Sequence, residues 1–85
     1  MSIEREEMFL KVRETIAAVA KRPVSEVELY SALVDDLGID SIQMLELLSD
    51  LEDAFGFELD VDDILPESFR SVQAVLNFVE HKAAS

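Results

Sequence analysis

The segment Asp40-Ser41-Ile42-Gln43-Met44-Leu45-Glu46-Leu47-Leu48-Ser49-Asp50-Leu51-Glu52-Asp53-Ala54-Phe55-Gly56 is bounded like a helix. An Asp-Ser pair able to cap an N-terminus opens it and a glycine closes it, which predicts a helix from Ser41 to Phe55 with Asp40 or Ser41 as its cap. With residues about 100° apart around the axis and Leu48 set at zero, Met44, Leu51 and Phe55 fall within about 60° of it. Leu47 and Ala54 lie at one margin, and this arc is a sufficient core face. Ile42 and Leu45 lie on the other side of Leu48 from these, the side shared by Glu46, Ser49, Glu52 and Asp53. Single leucines and isoleucines on a surface are ordinary, and a preceding loop that folded back would cover these two. Yet two apolar residues ringed by three carboxylates also match the plan of a protein-binding patch, apolar at the centre and charged at the rim.

On the N-terminal side, residues 23–40 show no sustained helical period apart from a turn near Tyr30 to Val34. Eighteen residues is a long loop for so small a chain, and its apolar residues Val24, Val27, Leu29, Leu33, Leu37 and Ile39 predict that it is pinned down. Before it, a first helix is expected from about Ile3 to Lys21. Ser2 is its cap, Glu4, Glu6 and Glu7 suit the positive end of its dipole, Lys21 and Arg22 suit the other end, and Pro23 stops it. Phe9, Val12, Ile16 and Val19 form its apolar stripe, widened by Met8, Ala17 and Ala20. On the C-terminal side, the acidic stretch Glu58 to Asp63 is read as holding a short helical turn that ends near Leu65 and Pro66. A last helix follows Ser71 to about His81, with Val72, Val75, Leu76 and Val79 inward and Phe78 beside them. The expected fold is all-α: a bundle of three main helices plus one short helix, in one domain spanning residues 1–85, with a long loop between the first and second helices.

Composition agrees with a helical core and constrains partners. The chain has 85 residues, 49% of them hydrophobic, with two glycines, two prolines and no cysteine. That excludes disulfides, a cysteine-ligated zinc and a cysteine nucleophile, and two glycines are few for a hairpin-rich fold. The formal net charge is −12, unevenly placed: from Pro23 to Phe69 there are fourteen Asp or Glu and no Lys or Arg. Such a surface repels phosphate backbones and anionic lipid, so nucleic acid and membrane are not expected partners, and a basic protein surface is the natural complement. Isolated surface ion pairs contribute at most about 1 kcal/mol, so the surplus is better explained by encounters or solubility than by stability. No apolar run approaches the roughly 20 residues of a membrane span, and the acidic N-terminus lacks the layout of a signal peptide; a cytoplasmic location is expected.

Asp36-Leu37-Gly38-Ile39-Asp40-Ser41-Ile42, then Leu45-Glu46-Leu47-Leu48 and Leu51-Glu52-Asp53-Ala54-Phe55-Gly56, resembles the attachment region of acyl carrier proteins and the related peptidyl carriers. The resemblance covers nearly the whole chain, including a last helix introduced by Phe69-Arg70-Ser71-Val72. It implies that a phosphopantetheinyl transferase moves 4′-phosphopantetheine from coenzyme A to the hydroxyl of Ser41, and that an acyl or aminoacyl group is then carried as a thioester. It also implies that Asp40, Ile42, Leu45, Glu46, Ser49, Glu52 and Asp53 meet basic, partly apolar patches on the transferase and on the loading enzymes, synthases and transferases that handle the cargo. In the family a short acyl chain is often sheltered between the last three helices. Leu47, Leu51, Phe55, Ile64, Leu65, Val72 and Leu76 either line such a space here or fill it, and a dry core is the default. The expected protein is a discrete monomeric carrier without catalytic turnover.

Typical fatty-acid carriers follow Asp-Ser with Leu and Asp, whereas Ser41 is followed by Ile42-Gln43-Met44. The string Gly38-Ile39-Asp40-Ser41-Ile42 and the segment Leu65 to Val72 look closer to stand-alone carriers of polyketide or nonribosomal metabolism; an aminoacyl cargo, including the D-alanyl type, and fatty-acid synthesis are the alternatives. The competing class is an unmodified acidic helical adaptor. Other chemistry finds little footing. Asp60, Asp62 and Asp63 lack the spacing and glycine of an EF-hand loop, so no metal site is expected. His81, the lone histidine, is read as a solvated residue at a helix end, and nothing pairs it with a serine and an aspartate as a catalytic set.

Overall fold

The computed structural model describes residues 5–59 and 66–84. Among these residues three α-helices, α1 (Arg5–Ala20), α2 (Ser41–Phe55) and α3 (Val72–Ala84), carry the fold, and short 3-10 turns occupy Val24–Glu26 and Pro66–Phe69. Helix α1 lies against both α2 and α3. Its stripe faces them as the period requires: Met8, Val12, Ile16, Ala17 and Val19 are buried, with Phe9 and Ala20 packed at the edge. Leu47, Leu48 and Leu51 come in from α2 and Val72, Val75, Leu76 and Val79 from α3. Each Met, Val, Ile or Leu among them removed from water contributes about 1.5–3 kcal/mol before chain entropy is counted.

Helix ends follow local chemistry. Ser2 and Glu4 lie outside the described residues, as does the start expected at Ile3. At the other end, α1 stops at Ala20, one residue short of expectation, because Lys21 turns left-handed (φ 57°). The Arg22 N–H then donates to the Ala17 carbonyl at 3.0 Å and the Lys21 N–H to Ala18 at 3.4 Å, closing the helix in a Schellman-like turn two residues before Pro23. Helix α2 spans Ser41 to Phe55 as read, and Gly56 ends it at φ 68°. Helix α3 runs three residues past His81. The turn expected within Glu58–Asp63 falls mostly outside the described residues, and the short helical piece before α3 begins at Pro66, where that turn was expected to end.

The long loop is held rather than free. Val27, Leu33, Leu37 and Ile39 are buried, although Val24 and Leu29 are exposed, against expectation, since an irregular segment has no period to assign their side. Its carbonyls cap α3: Val72 N–H donates to Ser31 at 3.0 Å and Gln73 N–H to Leu29 at 2.9 Å, beside an antiparallel bridge between Ala32 and Ser71. From α1, the Arg13 side chain donates to the Val27 carbonyl at 2.8 Å. Asp36 accepts from the Ala32 N–H at 2.8 Å and so tightens the turn that leads to Gly38 and the start of α2.

Candidate functional site

Asp40, not Ser41, caps α2. Its side chain accepts the Gln43 N–H at 2.8 Å, while Gln43 Oε1 accepts the Asp40 N–H at 3.2 Å, a reciprocal capping box. Ser41 is therefore the first helical residue, exposed, and its hydroxyl has no hydrogen-bond partner among the described residues. The N–H groups of Ser41 and Ile42 likewise have no protein acceptor there, so donors and the positive end of the helix dipole converge beside this oxygen. Next to it lies an open depression of about 330 Å3, lined by Val34, Ile39, Asp40, Ser41 and Met44. Three of those five residues are apolar, from the loop as well as the helix; Val34, on the solvent side of the loop turn, carried no sequence signal for this role.

The outer face of α2 is bare. Ile42 is 69% and Leu45 67% exposed, so the loop does not fold over them. Asp40, Glu46, Ser49 and Asp53 are exposed around them. Glu52 departs from the group: it is half-buried, and its carboxylate accepts the Leu59 N–H at 2.7 Å, fastening the chain that leaves α2. Of the residues considered for a cargo space, Leu47, Leu51, Val72 and Leu76 are at most 1% exposed and fill the core. Phe55 sits at its edge, stacked on Phe57 with ring centroids 6.2 Å apart, and Ile64 and Leu65 lie outside the described residues, as do Asp60, Asp62 and Asp63. His81 is exposed near the end of α3, and no group of three metal-ligating side chains is present among the described residues.

Residues 10–79 match the family model described as a phosphopantetheine attachment site. The chain belongs to the acyl carrier protein family. An acyl carrier protein of Exiguobacterium sibiricum is 36% identical over 76 residues, covering 89% of this chain and 94% of that protein. One of Thermotoga maritima is 35% identical over 78 residues, 92% of this chain and 94% of that protein. One of Thermobifida fusca is 32% identical over 80 residues, 94% and 99% respectively. The chain is accordingly a carrier rather than an enzyme, and its cofactor is a covalently attached 4′-phosphopantetheine.

The residues at the start of α2 fit such a group. An exposed serine oxygen unengaged among the described residues could take the group, the Ser41 and Ile42 N–H groups, without acceptors there, would suit a phosphodiester anion, and Val34, Ile39 and Met44 would offer apolar walls for the carbons that follow. Placing that anion at a helix N-terminus is worth about 0.3–1 kcal/mol.

Proposed function

We infer that this chain is an acyl carrier loaded at Ser41. The observation that carries the reading is the division of labour at the start of α2: Asp40 does the capping, which leaves the Ser41 hydroxyl exposed and without a partner among the described residues. In the loading step the new bond is Ser41 Oγ to phosphorus. The bond that breaks joins that phosphorus to the adenosine bisphosphate half of coenzyme A, and the serine proton passes to a base on the transferase. Once attached, the group supplies a thiol on a flexible arm, which holds cargo as a thioester; the chain itself has no cysteine to do so.

The exposed face built by Asp40, Ile42, Leu45, Glu46, Ser49 and Asp53 is the proposed docking surface for the phosphopantetheinyl transferase and the acyl-handling enzymes, with Glu52 contributing chiefly to the fold. Charge steering suits a carrier that visits several enzymes briefly, because it raises association rates without slowing release. Docking weakens as salt rises; equal affinity at low and high ionic strength would remove this part of the reading. A monomeric, cytoplasmic protein that avoids nucleic acid and membrane agrees with the acid-rich surface, and no helix among the described residues is long and apolar enough to cross a membrane.

The relatives are named for acyl cargo, which favours an acyl over an aminoacyl group. None of those names specifies polyketide or nonribosomal metabolism, so the expectation drawn from the strings Gly38 to Ile42 and Leu65 to Val72 gains no support from them, and the fatty-acid alternative fits them as well. Mass spectrometry of the thioester-bound species from the native host identifies the cargo.

Incubation with coenzyme A, magnesium and a broad-specificity transferase tests the attachment. The expected result is an increase in intact mass equal to one phosphopantetheine, abolished in Ser41→Ala. No increase, or one that survives Ser41→Ala, leaves the unmodified adaptor as the better reading.

A further inference from the structure

Gln43 makes a contact that the capping box does not require. A primary amide has an acceptor oxygen and two N–H donors. While Oε1 accepts the Asp40 N–H, Nε2 donates to the carbonyl of Val19 at 3.1 Å, in the last turn of α1. Carbonyls in a last turn have no intrahelical donor. Those of Ala17 and Ala18 are taken by Arg22 and Lys21, and the third, at Val19, is taken from another helix by Gln43. Asp40 and Gln43 bracket Ser41 and Ile42, so their reciprocal bonds close a ring around the serine-bearing turn, and the partly buried bond to Val19 ties that ring to α1. Without the tie, the capping box still holds the turn together, but only the apolar packing of Ile39 and Met44 is left to seat it against the rest of the fold.

The geometry points to Gln43 as a positioning residue for transfer of the arm to Ser41: its amide holds the loop–helix junction against α1 in the arrangement the transferase engages. This rests on Ser41 being the attachment point. Glutamate isolates the effect. It has the same length, accepts from the Asp40 N–H and suits a helix N-terminus, but it has no proton to give the Val19 carbonyl. Its charge alone would strengthen steering toward a basic transferase and lower KM. A loosened junction raises KM instead, because only a fraction of encounters meet the competent arrangement. The two effects have opposite signs.

The test is steady-state transfer from coenzyme A to the apo carrier, wild type against Gln43→Glu, at low and high salt. The expected result is a KM for the carrier raised about three- to tenfold, the scale of one lost hydrogen bond, with kcat within about twofold. The rise persists at high salt, where added charge is screened. A KM at high salt equal to or below that of the wild type overturns the role. Gln43→Met, which loses both bonds without adding charge, is expected to show at least the same rise and serves if the glutamate variant does not fold. Relaxation of the Gln43 side-chain nitrogen in the wild type needs no variant: an order parameter above about 0.6 is expected, and one below it overturns the tie. A wild type that gains no mass removes the attachment reading and this proposal together, whereas a modified wild type with unchanged KM in the variants removes only the role of Gln43.

Discussion

Two serines stand at two helix starts, and the fold treats them oppositely. Ser71 is the cap of α3: its hydroxyl accepts the Ala74 N–H at 3.2 Å, it is half-buried, and the next two N–H groups are taken by loop carbonyls. Ser41 sits one residue past the cap of α2, exposed, with its hydroxyl unengaged among the described residues. The same division runs along α2, where Leu47 is fully buried and Leu45, two residues away, is 67% exposed. The difference teaches that residue type does not separate structure from function in this chain. What separates them is whether neighbouring groups already use the side chain.

The leucine pair gives the largest contrast. Leu47→Ala leaves a cavity among α1, α2 and α3 and is expected to cost about 2–5 kcal/mol, enough to unfold much of a domain whose net stability is of that order. Leu45→Ala is expected to stay within about 0.5 kcal/mol of the wild type in thermal melts while weakening binding to the transferase. A large loss of stability in Leu45→Ala would show that the outer face belongs to the fold. The serine pair follows. Ser71→Ala removes a cap and is expected to lower stability by about 1 kcal/mol with phosphopantetheine still added in full, whereas Ser41→Ala abolishes addition with no measurable loss of stability. Denaturant melts beside intact mass separate the two, and the contrast fails if either variant shows both effects.

Much of this architecture was legible in the sequence because its signals are local. The limits of α2 follow from a cap-forming pair and one glycine, and the buried stripes of α1 and α3 follow from a period of three and four. The choice of Asp40 over Ser41 as cap was also within reach: three residues after Asp40 stands Gln43, which can reciprocate, and three after Ser41 stands Met44, which cannot. What sequence could not supply depends on distant partners. Glu52 reads as one more docking carboxylate until Leu59 is seen to donate to it, and the bond from Gln43 to Val19 joins residues 24 apart. The loop lacks a period, so Val24 and Leu29 could not be told from Val27 and Leu33.

The smallest expected effect concerns helix ends, and it extends the same reasoning to the backbone. Gly56 closes α2 at φ 68° and Lys21 closes α1 at φ 57°, the same left-handed region reached by two different residues. For a side-chain-bearing residue that region costs about 1–2 kcal/mol, while glycine enters it freely but gives the unfolded chain more freedom, worth about 0.4–1 kcal/mol. Lys21→Gly is therefore expected to stabilise the chain by a few tenths to about 1 kcal/mol in denaturant melts. Gly56→Ala is expected to destabilise it by a similar amount, mainly through backbone strain, since among the described residues, chain neighbours aside, no atom lies within 4 Å of the added methyl group. If Lys21→Gly destabilises instead, the lysine side chain must contribute more than its backbone costs, and the end of α1, where Gln43 is anchored through Val19, is held by more than main-chain geometry.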